Sequence, residues 1–109
     1  MQNRIQTYSE FWPYYLKEHS SALCRRLHFL GTTLALIGFA IFLITFNPIL
    51  LLACAVGGYG PAWIAHFFVE KNRPATFTYP IWSLYSDFRM FFLWLSGRLP
   101  DELKKAGVP

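Results

Sequence analysis

Residues 27–69, LHFLGTTLALIGFAIFLITFNPILLLACAVGGYGPAWIAHFFV, carry no Asp, Glu, Lys or Arg. One bilayer crossing takes about 20 apolar residues, so the run is long enough for two. Asn47-Pro48 in its middle is a turn signal that interrupts a single continuous helix. The reading is a two-helix transmembrane hairpin, its helices placed at about 28–46 and 49–69. A cleaved signal peptide does not fit, because the first apolar segment is too long for a signal core and a second follows at once.

The charges lie on either side of this run. Arg4, Lys17, Arg25 and Arg26 precede it, and Lys71, Arg73, Arg89, Arg98, Lys104 and Lys105 follow it, with none at the turn. Positive flanks stay on the cytoplasmic side, which places both termini there. The net charge of +4 is accounted for by basic flanks facing anionic headgroups, so no nucleic-acid partner is expected.

Composition agrees. The chain has 109 residues, of which 54% are hydrophobic and only 15% charged, against roughly 25% charged in soluble proteins. A domain this small has too little interior to hide that much apolar surface. One membrane domain spanning 1–109 is expected, without repeats or linkers.

Two further helices flank the run. Tyr8, Phe11, Trp12, Tyr15 and Leu16 recur at helical spacing within about 8–19, and Ile81, Leu84, Tyr85, Phe88, Phe91, Phe92 and Leu95 do so within about 81–95. Trp12, Tyr14 and Tyr15 have rings suited to the headgroup level, and Asp87 with Arg89 makes a full crossing costly. Both helices are read as amphipathic and interfacial, giving an all-α integral membrane protein.

Counting outward from Asn47-Pro48 sets Gly38 level with Gly57 and Ala35 level with Gly60, small residues that let backbones approach. The same glycines could meet a second copy, making a homo-oligomer. Cys24 and Cys54 fall roughly 25 Å apart by helical rise and are read as structural thiols.

All three histidines gather at one end of the proposed hairpin. His28 precedes the turn by about 19 residues and His66 follows it by about 18, a depth difference of ~2 Å. His19 joins them if the chain folds back at Ser20-Ser21. Glu70 lies one helical turn beyond His66, and imidazole with carboxylate at that spacing is half of a metal site. Against this, His66 on a straight helix points about 120° away from Gly60, and a bend at Pro61 or the flanking helices would have to reconcile them. Asp87 is a second carboxylate of interest, in an otherwise apolar helix. The chain has no catalytic-serine motif, P-loop or HExxH.

The segments HSSALCRRLHFLG, residues 19–31, and AWIAHFFVEKNRPA, residues 62–75, resemble the Mpo-like family of membrane proteins, relatives of the yeast 2-hydroxy fatty acid dioxygenase, in its short bacterial branch. The resemblance implies an iron(II)-dependent dioxygenase that uses O₂ to shorten a 2-hydroxy fatty acid by one carbon. Its metal-binding histidines carry over to His19, His28 and His66, with Glu70 and Asp87 as candidate catalytic carboxylates. Where the family pattern leads one to expect Asn five residues after the first histidine, this chain has Cys24. The residues read by themselves add Arg25, Arg26, Lys71 and Arg73 as an interfacial cradle for a fatty-acid or lipid carboxylate. Two other readings fit the same residues: a non-catalytic lipid-binding or scaffold protein, and a haem protein ligated by His28 and His66.

Overall fold

The computed structural model describes residues 4–108, and these are all-helical, with no strand among them. Five α-helices follow in order: α1 (Tyr8–Lys17), α2 (Ala22–Thr45), α3 (Ile49–Ile64), α4 (Pro80–Leu95) and α5 (Leu99–Ala106). A π-helical turn, Ala65–Glu70, continues α3, and a 3₁₀ turn, Ala75–Phe77, precedes α4. The chain forms two compact units, one of Ser21–Pro74 and one of Met1–Ser20 with Ala75–Pro109.

In the Ser21–Pro74 unit, α2 opens where Ser21 Oγ accepts from the amides of Leu23 and Cys24. This cap satisfies two of the orphan donors of a helix start, so α2 begins upstream of Arg25 and Arg26 instead of at the edge of the apolar run. It ends at Phe46, whose left-handed backbone (φ 55°) turns the chain. Asn47 Oδ1 then accepts from the Ile49 amide as α3 begins. Thr33 and Thr45 donate their hydroxyls to the carbonyls of Phe29 and Ile41, four residues back, so these two polar groups are satisfied within an apolar helix.

Helices α2 and α3 pack along one another, residue numbers rising on one as they fall on the other. A Cβ on Gly31 would run into the Gly58 carbonyl oxygen, and one on Gly38 would come within 3.0 Å of Cys54 Sγ. Cys54 Sγ donates to the Ala35 carbonyl at 3.3 Å. The contact stripe of α3 is therefore Cys54, Gly57 and Gly58, and both expected matchings are corrected: Gly38 faces Cys54 while a Cβ on Gly57 would meet Leu34, and Ala35 faces Gly58 while a Cβ on Gly60 meets nothing within 4 Å. Three glycines in a run of four leave the stripe ambiguous in sequence, and only the crossing of the helices decides it. On a straight α-helix His66 would still point about 80° away from Gly58, and it is the π-helical turn carrying His66 that departs from the α-helical step.

Much of this unit's apolar surface is bare. Ile44 is 80% exposed and Phe68 74%, and Leu43, Ile49, Leu52, Val56 and Ile64 are also exposed. Two helices, Ala22–Thr45 and Ile49–Glu70, are long and apolar enough to cross a membrane.

The other unit packs α1 against α4 and α5. Thr7 caps the start of α1, its Oγ1 accepting from the Glu10 amide and donating to the Glu10 carboxylate, and Phe11, Trp12, Tyr15 and Leu16 make the buried face of the helix. Helix α5 was not anticipated from sequence. It carries Asp101 and Glu102 in its first turn, Lys104 and Lys105 in its last, and Gly107 (φ 80°) as its C-cap. Trp12 Nε1 donates to Glu102 at 2.9 Å, and the Arg89 guanidinium lies 4.1 Å from the Trp12 ring. Helix α4 buries Ser83 and Ser86 along with Met90 and Phe91 and exposes Ile81, Leu84, Tyr85, Phe92 and Leu95, an uncovered apolar face unlike that of a helix on a water-soluble core.

Candidate metal centre

His28 and His66 meet inside the Ser21–Pro74 unit. His28 projects from the second turn of α2 and His66 from the π-helical turn, with ring centroids 4.8 Å apart and planes at 88°. A ligand nitrogen of one lies within 4.8 Å of a ligand nitrogen of the other. π-Turns insert a residue into the helical ladder and recur where a side chain must be re-aimed at a functional site.

Each ring is held through Nδ1. His28 Nδ1 donates to the Cys24 carbonyl at 2.9 Å, and His66 Nδ1 to Asn72 Oδ1 at 2.7 Å. The left-handed backbone at Lys71 (φ 58°) folds Asn72 back, and the Asn72 amide donates to the His66 carbonyl at 2.9 Å. His19, in the other unit, follows the same rule: its Nδ1 donates to the Tyr15 carbonyl at 2.6 Å. All three are buried, at 1%, 4% and 2% exposure for His19, His28 and His66.

A carbonyl oxygen can only accept, so each Nδ1 carries the proton and a neutral ring presents its lone pair at Nε2. Metal-ligating histidines have this arrangement, one nitrogen donating to an oxygen and the other basic. The donor set fits a borderline divalent ion such as iron(II) or zinc.

The carboxylates have other partners. Glu70 Oε2 accepts from the Ser21 amide at 2.6 Å and the carboxylate also lies against the Cys24 thiol, tying the end of the π-turn to the start of α2. Asp87, in the other unit, accepts from the Tyr15 hydroxyl. Burial pushes the Asp87 carboxyl up to about 7, the Tyr15 hydrogen bond offsetting only part of the effect. Of the four basic residues of the expected cradle, Arg25 is half-buried while Arg26, Lys71 and Arg73 are exposed. Cys24 and Cys54 are free thiols, Cys24 with its Sγ 3.8 Å from His28 Nδ1.

Sequence reasoning passed over Asn72, the Tyr15 carbonyl and the Ser21 amide. An Asn closely following a histidine in a turn is a readable signal for Asn72. The other two act through backbone groups that every residue possesses.

A family model described as 2-hydroxy-palmitic acid dioxygenase Mpo1-like matches residues 5–99. No curated protein and no solved structure matches the chain.

Proposed function

Since the chain belongs to the 2-hydroxy-palmitic acid dioxygenase Mpo1-like family, we propose that it is an iron(II)-dependent membrane dioxygenase that shortens 2-hydroxy fatty acids by one carbon. The observation that carries the reading is the Nδ1 anchoring of all three histidines, which leaves three Nε2 atoms of ligand character. His28 and His66 supply two of them. His19 supplies the third: it stands two residues before Ser21, a chain reach of about 7 Å, and Ser21 is hydrogen-bonded to Glu70.

Bound there, iron would supply the chemistry that brings O₂ and the 2-hydroxy acid to reaction. The protein's own residues bind and orient. The acyl chain lies among the bare apolar side chains of α2 and α3, each buried methylene contributing about 0.8 kcal/mol. Its carboxylate stays at the level of Arg25, Arg26, Lys71 and Arg73, which add about 1 kcal/mol apiece near the surface. Asn72 and the carbonyls of Cys24 and Tyr15 hold the Nδ1 proton of the three imidazoles and keep the rings aimed. Glu70 serves this arrangement by holding the helix start that carries His28.

Membrane insertion is part of the proposal. Helices α2 and α3 form a transmembrane hairpin with both termini cytoplasmic, which accounts for the exposed Ile44, Phe46 and Phe68 and for the bonded threonine hydroxyls. The exposed apolar face of α4 suits a helix sunk into the interface. In the haem alternative the two ligands stand on opposite faces of a porphyrin, whereas the rings of His28 and His66 lie edge to face.

The test is elemental analysis of the purified protein together with turnover of 2-hydroxy fatty acids under O₂. One iron per chain is expected, with metal and turnover both lost in His19→Ala, His28→Ala and His66→Ala. A folded His66→Ala protein with full metal and full turnover would overturn the assignment.

A further inference from the structure

The unit containing α1 and α4 has apolar residues on the outside of α4, and polar pairs stand among the aromatic contacts between α4 and α1. Tyr8 and Tyr15, two turns apart on α1, reach the same turn of α4: the Tyr8 hydroxyl meets Ser86 Oγ at 2.8 Å, and the Tyr15 hydroxyl donates to Asp87 Oδ1. In a helix pair whose outer surface is apolar, such polar contacts fix rotation and register in a way that greasy contacts do not.

Tyr15 is fully buried and engaged at both ends. Its carbonyl accepts the Nδ1 proton of His19. Its ring lies 4.1 Å from the His19 ring, tilted by 31°, and stacks on Trp12 with centroids 5.7 Å apart. The plane of the phenol therefore limits the plane of the imidazole, and the far end of the phenol is held by Asp87.

We propose that Asp87 and Tyr15 are a positioning pair for His19: Asp87 fixes the Tyr15 ring through its hydroxyl, and Tyr15 fixes the orientation and tautomer of His19. The pair rests on the metal-site reading only for its consequence, which is metal affinity. Its direct effect is on the His19 ring and exists without metal. Asp87 itself touches neither metal nor substrate in this scheme, so it is a positioning residue and not a general acid or base.

The experiment uses the full chain in detergent micelles with ¹⁵N-labelled histidine. In the metal-free protein His19 should give the resonances of a neutral ring protonated at Nδ1. Tyr15→Phe, which keeps the ring and the carbonyl, should move the His19 signals toward the averaged values of a mobile ring while leaving His28 in place. Asp87→Leu should do the same, and Asp87→Asn, which retains an acceptor oxygen, should restore the wild-type signals. Cobalt(II) affinity should fall about tenfold in Tyr15→Phe and Asp87→Leu, and the double variant should be no worse than either.

Unchanged His19 resonances in Tyr15→Phe overturn the pair, and that variant decides the matter if Asp87→Leu does not fold. Wild-type protein that takes up no cobalt overturns the metal reading instead, while the His19 resonances still judge the pair.

Discussion

The imidazoles of His28 and His66 meet edge to face, 4.8 Å between centroids, and each is locked by a hydrogen bond from Nδ1. The two locks differ in kind. His28 leans on the Cys24 carbonyl, which substitution cannot remove, but His66 leans on the side chain of Asn72. Asn72→Leu should therefore release the His66 ring and lower divalent-metal affinity by about 10–100-fold. Asn72→Asp, which keeps an acceptor, should lose far less. Competition against a chromophoric chelator measures both, and equal affinities in wild type and Asn72→Leu would remove Asn72 from the site.

Glu70 offers a sharper distinction. If it ligates metal, Glu70→Gln should lose affinity as badly as Glu70→Ala. As the acceptor for the Ser21 amide, it should tolerate Gln, whose side-chain oxygen can take the same hydrogen bond. The expectation is metal binding within about threefold of wild type for Glu70→Gln, and a loss of about 1 kcal/mol of stability for Glu70→Ala, where a part-buried amide is left without its acceptor. Titration with metal and thermal unfolding separate the two cases.

The helix contact predicts opposite outcomes for two glycines. Gly31→Ala drives its new methyl into the Gly58 carbonyl oxygen, a backbone atom with no freedom to swing aside. Separating the helices should cost about 1–3 kcal/mol. Gly60→Ala enters open space and should be neutral or stabilising by up to about 1 kcal/mol from helix propensity. Denaturation in detergent would read the pair, and a harmful Gly60→Ala would mean that this face of α3 meets something else, such as a second copy.

How much of this was legible beforehand depends on where the information resides. The uncharged run from Leu27 to Val69 and the Asn47-Pro48 break are properties of residue type, and they mark the two long apolar helices. Equal counts from the turn set His28 and His66 at one depth, and their rings do meet. What escaped depends on rotation and backbone. Gly57, Gly58 and Gly60 are alike in sequence, so the stripe that faces α2 could not be chosen, and the direction of His66 depends on a π-helical turn that straight-helix counting does not include. The anchors at Cys24 and Tyr15 are carbonyls, which no residue code announces. Helix α5 had its signals, an early proline, acids before bases and a closing glycine, but it lies beyond the apolar pattern that guided the reading.

Asp87 makes a prediction with a definite sign in pH. Burial raises its folded-state value to about 7 from the ordinary 3.8, so the folded chain holds a proton that the unfolded chain releases near pH 4. Below that point both states are protonated and Asp87 contributes no pH dependence. Between about 4 and 7 the unfolded state binds fewer protons than the folded one, so stability falls as pH rises and levels off above 7. A salt-bridged carboxylate would give the opposite slope. Asp87→Asn keeps an acceptor for Tyr15 and cannot ionise, so it should flatten the decline and match wild type most closely near pH 4. Thermal midpoints of both proteins across pH 4–8 test this. A wild-type midpoint that rises over that range, with the Asp87→Asn midpoint flat, would show that Asp87 is ionised in the folded chain and paired with a cation.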